Sequence, residues 1–258
     1  MKVIKVDLSQ DLKQIEVHTF ADEHIGDAHC DIARLKERIK YVAETPNAYC
    51  ILNGDILDNA SRSSIGDIET RELNIMGQIQ NGVELFSPIK DKILCITNGN
   101  HENRAYRKEG IDISLIVANQ LGIGDRYSPT SVLLFLRFGR MSSHRNHRPA
   151  LYTLYCNHGS GGGRKEGAKA IRLADMASIV DADIYVHSHT HLGMIMKQGF
   201  FRTDLQSSTV QNVTKLFINT SSNLNYGGYG EAQEFKPNSK DTPVIYLNGC
   251  KKEMYAKL

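Results

Sequence analysis

A chain of 258 residues, 41% hydrophobic and 23% charged, is long enough to bury a sizeable core. That excludes a disordered segment and a scaffold needing disulfides or structural metal merely to fold. The net charge of +2 neither favours nor excludes a polyanionic partner, and no apolar run reaches the length of about 18 residues expected of a membrane span. Five cysteines, Cys30, Cys50, Cys95, Cys156 and Cys250, are odd in number, widely spaced and free of any CxxC pair. With a first segment too charged for a secretory leader, they predict a reducing, cytoplasmic setting.

In chain order, residues 14–22 (QIEVHTFAD) alternate and predict a strand. Residues 31–44 place Ile32, Leu35, Ile39 and Val42 three or four apart, an amphipathic helix stopped before Pro46. AYCILNGD (48–55) and DKILCITNGNH (91–101) each run from an apolar strand into a polar loop. Helices are predicted over 67–86 and over 112–122, the second closed by Gly122. Residues 131–139 and 150–159 predict strands, 164–180 a helix, and DIYVHSHTH (183–191) a strand and its mouth. FFRTDL, KLFINT and PVIYLNG are further short strands. There is no repeat, low-complexity tract or linker, so one domain spanning 1–258 is the simplest reading. Strands alternate with helices early and crowd together late, which predicts a sheet-rich α/β core with helices packed outside. In such folds ligands bind off the carboxyl ends of the strands.

Five of those strand ends carry polar clusters: Asp22-Glu23-His24, Asn53-Gly54-Asp55 running to Asp58, Asn98-Gly99-Asn100-His101-Glu102, Asn157-His158-Gly159, and His187-Ser188-His189-Thr190-His191. In an extended run, His187, His189 and His191 would all point one way. Carboxylate, amide oxygen and imidazole together form the mixed donor set that suits Mn, Fe, Co, Ni or Zn. No cysteine sits among them, as a structural zinc site would usually require.

The order D-x-H, G-D-x-x-D, G-N-H-E, N-H-G and H-x-H, from residue 22 to 191, resembles the calcineurin-like metallophosphoesterase superfamily, in particular an uncharacterised branch found in bacteria and their viruses. The resemblance implies a four-layer αββα fold, a β-sandwich of two mixed sheets flanked by helices, with helical insertions around 60–90 and 103–125. It implies two divalent metal ions, manganese first among them. Asp22, His24 and His191 would bind one; Asn100, His158 and His189 the other; Asp55 would bridge, screening the repulsion between cations about 3.5–4 Å apart. A bridging hydroxide would attack phosphorus in line with the leaving oxygen. His101 would give that oxygen a proton or hydrogen bond, oriented by Asp58. Ser188 stands where the family usually has glycine, and His187 is an extra histidine, expected to hydrogen-bond rather than to ligate. Asn59 stands where relatives that dephosphorylate proteins carry arginine, which weakens that assignment.

Other features leave alternatives open. Arg104 and Arg107 could clamp a substrate phosphate or pair with Glu102 and Glu109. The basic stretch 137–148, with Arg137, Arg140, Arg145 and Arg148, predicts a hairpin or loop that could follow a nucleic-acid backbone or be a solvated turn. The glycine-rich run 158–167 lacks the G-K-[ST] of a phosphate loop and reads mainly as a loop beside His158. Tyr226 and Tyr229 could stack on a base but read mainly as loop, while His18 and His29 read as structural. The leading expectation is a metal-dependent phosphoesterase acting on a nucleic acid or nucleotide. A small-metabolite phosphatase or phosphodiesterase is the alternative, and a non-catalytic scaffold is a third, disfavoured because every ligand position is filled. The native metal, the monoester or diester preference and the oligomeric state stay open.

Overall fold

The computed structural model describes residues 1–59, 74–142 and 148–258. Strand β1 (Lys2–Asp7) is followed by β2 (Gln14–Phe20), α1 (Ile32–Glu44) and β3 (Ala48–Asn53). Next come α2 (Ile75–Phe86), β4 (Ile93–Thr97), α3 (Glu102–Glu109), α4 (Ile113–Gln120) and β5 (Tyr127–Ser128). Strands β6 (Ser131–Phe138) and β7 (Ala150–Asn157) precede α5 (Glu166–Asp175) and β8 (Ile184–His187). The chain ends with β9 (Met194–Asp204), β10 (Thr209–Asn219), α6 (Gly228–Ala232), β11 (Val244–Asn248) and β12 (Met254–Lys257).

The strands form two mixed sheets of six, in the orders β1-β6-β7-β8-β10-β9 and β12-β11-β2-β3-β4-β5. Between them lies one apolar layer: Ile15, Val17, Ile51 and Cys95 from the second sheet meet Leu134, Leu136, Tyr152, Leu154, Ile184 and Val186 from the first. The outer face of the second sheet is covered by α1, α2 and α4 through Leu35, Ile39, Val42, Phe86, Ile113 and Val117. Against the outer face of the first sheet, Leu173 and Met176 pack on Tyr155, Tyr185 and Phe217. Helix α1 starts where the Asp31 carboxylate accepts the Arg34 N–H at 3.1 Å, and buries the predicted stripe Leu35, Ile39 and Val42. Helix α4 is capped by Asp112 in the same way, and Gly122 follows it with φ 76°.

Strand direction places the polar clusters. β2, β3 and β4 run parallel in one sheet; β7, β8 and β10 run parallel in the other. Their carboxyl ends open at a common end of the sandwich, where chain turns carry charged groups without burying unpaired strand backbone. The expected strands and helices are present with shifted bounds. Residues 67–73 of the predicted helix 67–86 lie outside the described residues, as does the first part, 60–73, of the insertion predicted around 60–90.

Strands β1, β5 and β12 and the short helix α6 have no counterpart in the sequence reading, and two further features differ from it. The late strands at 200–205 and 215–220 are parts of an eleven-residue pair, β9 and β10, in register from Met194↔Asn219 to Asp204↔Thr209. Only Leu216–Asn219 of β10 also pairs with β8, so the rest is a two-stranded ribbon with mostly exposed side chains. Polar residues on both faces erase the period-two signal that would have revealed it. The second concerns the basic stretch. β6 and β7 pair from Ser131↔Asn157 to Phe138↔Ala150, so the chain leaves β6 and enters β7 at the end opposite His158, about 26 Å away at the usual strand rise. Arg137 is held by Asp7 at 2.5 and 2.7 Å, and Arg140 lies 3.5 Å from Asp11. Arg145 falls outside the described residues.

At that far end Phe138 is fully buried and stacks on Tyr152 with ring centroids 5.9 Å apart. Phe138→Ala should lower stability by about 3–5 kcal/mol in urea unfolding. Metal affinity of the folded protein should not change, because the cavity opens at the opposite end from the polar clusters.

Candidate metal centre

The clusters converge through an unusual backbone. Eight described residues other than glycine have positive φ, and six of them are Asp22, His24, Asp55, Asn59, His189 and His191. Left-handed conformations of this kind cost about 1–3 kcal/mol each and persist only where the surroundings impose them. They also break strand alternation. β8 ends at His187, and positive φ at His189 (65°) and His191 (53°) redirects the two later imidazoles. The three histidines therefore do not share a face. His187 is buried, its Nδ1 lies 2.8 Å from Asn219 Oδ1, and it belongs to none of the ligand groups among the described residues.

The expected ligands fall into two adjoining groups. Asp22, His24 and His191 bring one potential ligand atom each within 4.8 Å of one another; so do Asp55, His158 and His189. In the first, Asp22 Oδ1 lies 3.2 Å from His191 Nε2, and the His24 and His191 rings are 5.6 Å apart. In the second, Asp55 Oδ2 lies 3.3 Å and Asn100 Oδ1 3.1 Å from His158 Nε2. The His189 backbone N–H donates to Asp22 Oδ2 at 3.0 Å, which ties the groups together. A third trio within the same reach, His24, Asp58 and His101, overlaps the first.

The donor set fits a cation. Asp22 Oδ1 and both ring nitrogens of His24 are buried without any hydrogen-bond partner. Such atoms are expensive to bury unpartnered, and the carboxylate oxygen and the lone-pair nitrogen of the ring are the ones a cation would satisfy. Charge inside the pocket is already high. Burial opposes a charged His158, yet the Asp55 carboxylate more than offsets it and pushes its pKa up to about 10. Burial would raise Asp55, but His158 and His101 hold it well below the usual carboxylate range. His158 Nδ1 donates to the Asn53 carbonyl at 2.8 Å, which leaves Nε2 as the ligand atom.

His101 lies against this pocket, its ring 4.4 Å from His24 and edge-on. Nδ1 is 2.6 Å from the Asp58 carbonyl oxygen and 3.3 Å from Asp58 Oδ1, so the Asp58 residue fixes the ring and turns Nε2 inward, 3.9 Å from Asp55 Oδ2. Arg104 is half-buried one turn along α3, close enough for its charge to oppose protonation of His101; Arg107 is exposed farther along. Glu102 is not their partner: its carboxylate accepts the backbone N–H groups of Asp55, Leu57 and Gly99 at 2.9–3.1 Å. Glu23 turns away from the pocket and pairs with Arg38 at 2.7 Å.

Three positions with no role assigned from sequence hold the ligand loops. Glu102 clasps the loops after β3 and β4. Asn53 is fully buried; its Nδ2 donates to Ser188 Oγ at 2.7 Å and the Asn157 carbonyl at 3.1 Å, and its Oδ1 accepts from Thr97. Serine at 188 therefore supplies an oxygen that glycine would lack. The third is a sixth strand-end cluster, Asn219 to Asn223, buried throughout, in which Ser222 Oγ and the Asn223 N–H both bond the Asp22 carbonyl at 3.1 Å. The signal was present, because N-T-S-S-N follows an apolar strand as the other clusters do. Elsewhere, Tyr226 is exposed on its loop, His29 bonds Asp27, and His18 bonds Glu16 at 3.2 Å.

A family description, calcineurin-like phosphoesterase, matches residues 24–193. This chain belongs to the calcineurin-like phosphoesterase family. Similar solved structures include a metallophosphoesterase from Sphaerobacter thermophilus, 12% identical over 91% of this chain and 84% of that one, with a TM-score of 0.39. A nuclease from Pseudomonas putida is 13% identical over 93% and 87%, at 0.36. A calcineurin-like phosphoesterase from Bacillus subtilis is 12% identical over 95% and 90%, at 0.41. No curated protein matches the chain.

A Cβ on Gly99 would fall far inside contact distance of Asp55, both its backbone nitrogen and its carboxylate. Gly99→Ala should displace that carboxylate and weaken Mn²⁺ binding by about 10- to 100-fold in calorimetric titration. Unchanged affinity would mean the loop yields freely.

Proposed function

We propose that this protein is a dinuclear metal-dependent phosphoesterase acting on a nucleic acid or nucleotide. The observation that carries the reading is the pair of adjoining ligand groups with orphaned buried donors at Asp22 and His24. Asp22, His24 and His191 would hold one cation, Asn100, His158 and His189 the second, and Asp55 would lie between them. Divalent cations at these positions would supply a water of lowered pKa and neutralise charge on the phosphoryl oxygens.

The chain's own residues do the rest. Hydrolysis forms one P–O bond to water and breaks the bond to the leaving oxygen, which in an alkyl ester must gain a proton. His101 Nε2 is the group placed to give it, because Asp58 holds Nδ1. Without metal, burial disfavours the charged ring, but the Asp55 carboxylate and the Asp58 hydrogen bonds outweigh it and raise its pKa. Arg104 and Arg107 follow on α3, where a guanidinium fork could meet a second phosphate of a polynucleotide or nucleotide.

One observation favours the second reading, a small phosphorylated metabolite. The basic stretch 137–148 leaves the sheet at the end opposite His158, so it would not guide a short nucleic acid into the pocket. A screen with added Mn²⁺ separates the readings: chromogenic monoester and diester, cyclic nucleotides, and single- and double-stranded DNA.

Metal content near two per chain is expected; content near zero would favour a scaffold and overturn the proposal. Asp55→Asn should weaken both metals and abolish turnover, and full activity in that variant would refute its bridging place. His101→Gln should slow turnover by about 10²- to 10⁴-fold with metal retained. Loss of metal instead would make His101 a ligand.

A further inference from the structure

Asn59 lies directly after the G-D-x-x-D cluster, 2% exposed, with φ 39°. Its Nδ2 donates to the His101 carbonyl at 2.7 Å, and its backbone N–H donates to Gln78 Oε1 at 2.9 Å. Gln78 is fully buried on α2, and its side chain packs so closely on Gly26 (φ 105°) that a Cβ there would strike it. Gln78 thus fixes Asn59 from the helix layer, and Asn59 fixes His101 from behind. Two further contacts complete the hold: Asp55 Oδ1 accepts the His101 N–H at 2.8 Å, and Asp58 holds the ring.

The backbone contacts matter because a histidine ring swings with its Cα. Nδ1 alone leaves the ring free to pivot about the Asp58 bond. Pinning the carbonyl as well fixes where Nε2 points, and proton transfer falls steeply with a displacement of about 1 Å. Asparagine is suited to the position: it tolerates left-handed backbone better than most residues and still offers an amide donor.

We infer that Asn59, anchored by Gln78, is a positioning residue that aims His101 at the leaving oxygen. The inference rests on the proton-donor assignment of His101 made above. The test uses Asn59→Gly, which keeps the left-handed backbone and the N–H to Gln78 but removes the amide donor. A donor that is misaimed costs most when the leaving group is a poor one. For an alkyl phosphodiester, kcat should fall about 10- to 100-fold. For a nitrophenyl ester, whose leaving oxygen needs no proton, it should change less than about threefold. Metal content by elemental analysis should match that of the parent protein. In a double-mutant cycle, Asn59→Gly should add nothing to His101→Gln, because the group it aims is already gone.

Equal losses on both substrates, or an additive loss in the His101→Gln background, would overturn the inference and leave Asn59 a structural residue. If His101→Gln itself shows no dependence on the leaving group, the donor assignment fails instead, so the two failures are separable. Gln78→Leu serves as the second variant. Its profile should follow that of Asn59→Gly in milder form, and an unaltered profile would remove Gln78 from the relay.

Discussion

A buried pocket that collects carboxylates and imidazoles, and leaves some of their lone pairs unmet, demands positive charge inside it. Asp22, Asp55 and Asp58 are buried within reach of four histidine rings. Part of the demand is met by protons shared with those rings, as the raised His158 shows. Asp22 Oδ1, 3.2 Å from His191 Nε2, and the two His24 nitrogens, the nearer 3.8 Å from Asp58, make no well-formed hydrogen bond. Metal entry would displace protons from the same atoms, so proton release and metal binding are two sides of one equilibrium in this pocket.

The rest of the architecture serves to hold that unfavourable cluster together. Six parallel strand ends from two sheets supply its walls, and the apolar layer between the sheets keeps them from spreading. Left-handed residues then turn side chains inward where a continuing strand would send them alternately away. Glycine clears the space: Gly54 and Gly99 lie so close that neither could carry a side chain without striking the other or the Asp55 loop. Glu102 closes the arrangement by gathering three N–H groups from two loops around one carboxylate. Burial and nearby Asp55 push its pKa up to about 7, while the N–H groups pull the other way.

Much of this was legible in the sequence because apolar strand and polar turn are written next to each other. The periodic stripe of α1, the run of β3 into Asn-Gly-Asp and the His-x-His mouth of β8 each identify an element and a ligand together. The expectation for His187, His189 and His191 failed on geometry: residue types do not reveal where φ turns positive, so period two was extended past the end of the strand. Asn53 and Glu102 were not recognised as clasps because most of the groups they hold, in Asp55, Leu57, Asn157 and Ser188, lie far along the chain, which no local pattern records. The ribbon of β9 and β10 was invisible for a different reason. A strand solvated on both faces carries no hydrophobic period.

That ribbon has a practical meaning. Its tip, around Leu205 and Ser208, sits about 34 Å along β10 from Asn219 and so at the opposite pole from the polar clusters. A fluorophore or surface tether attached there would anchor the protein with its mouth facing the bulk solution, in an orientation known beforehand.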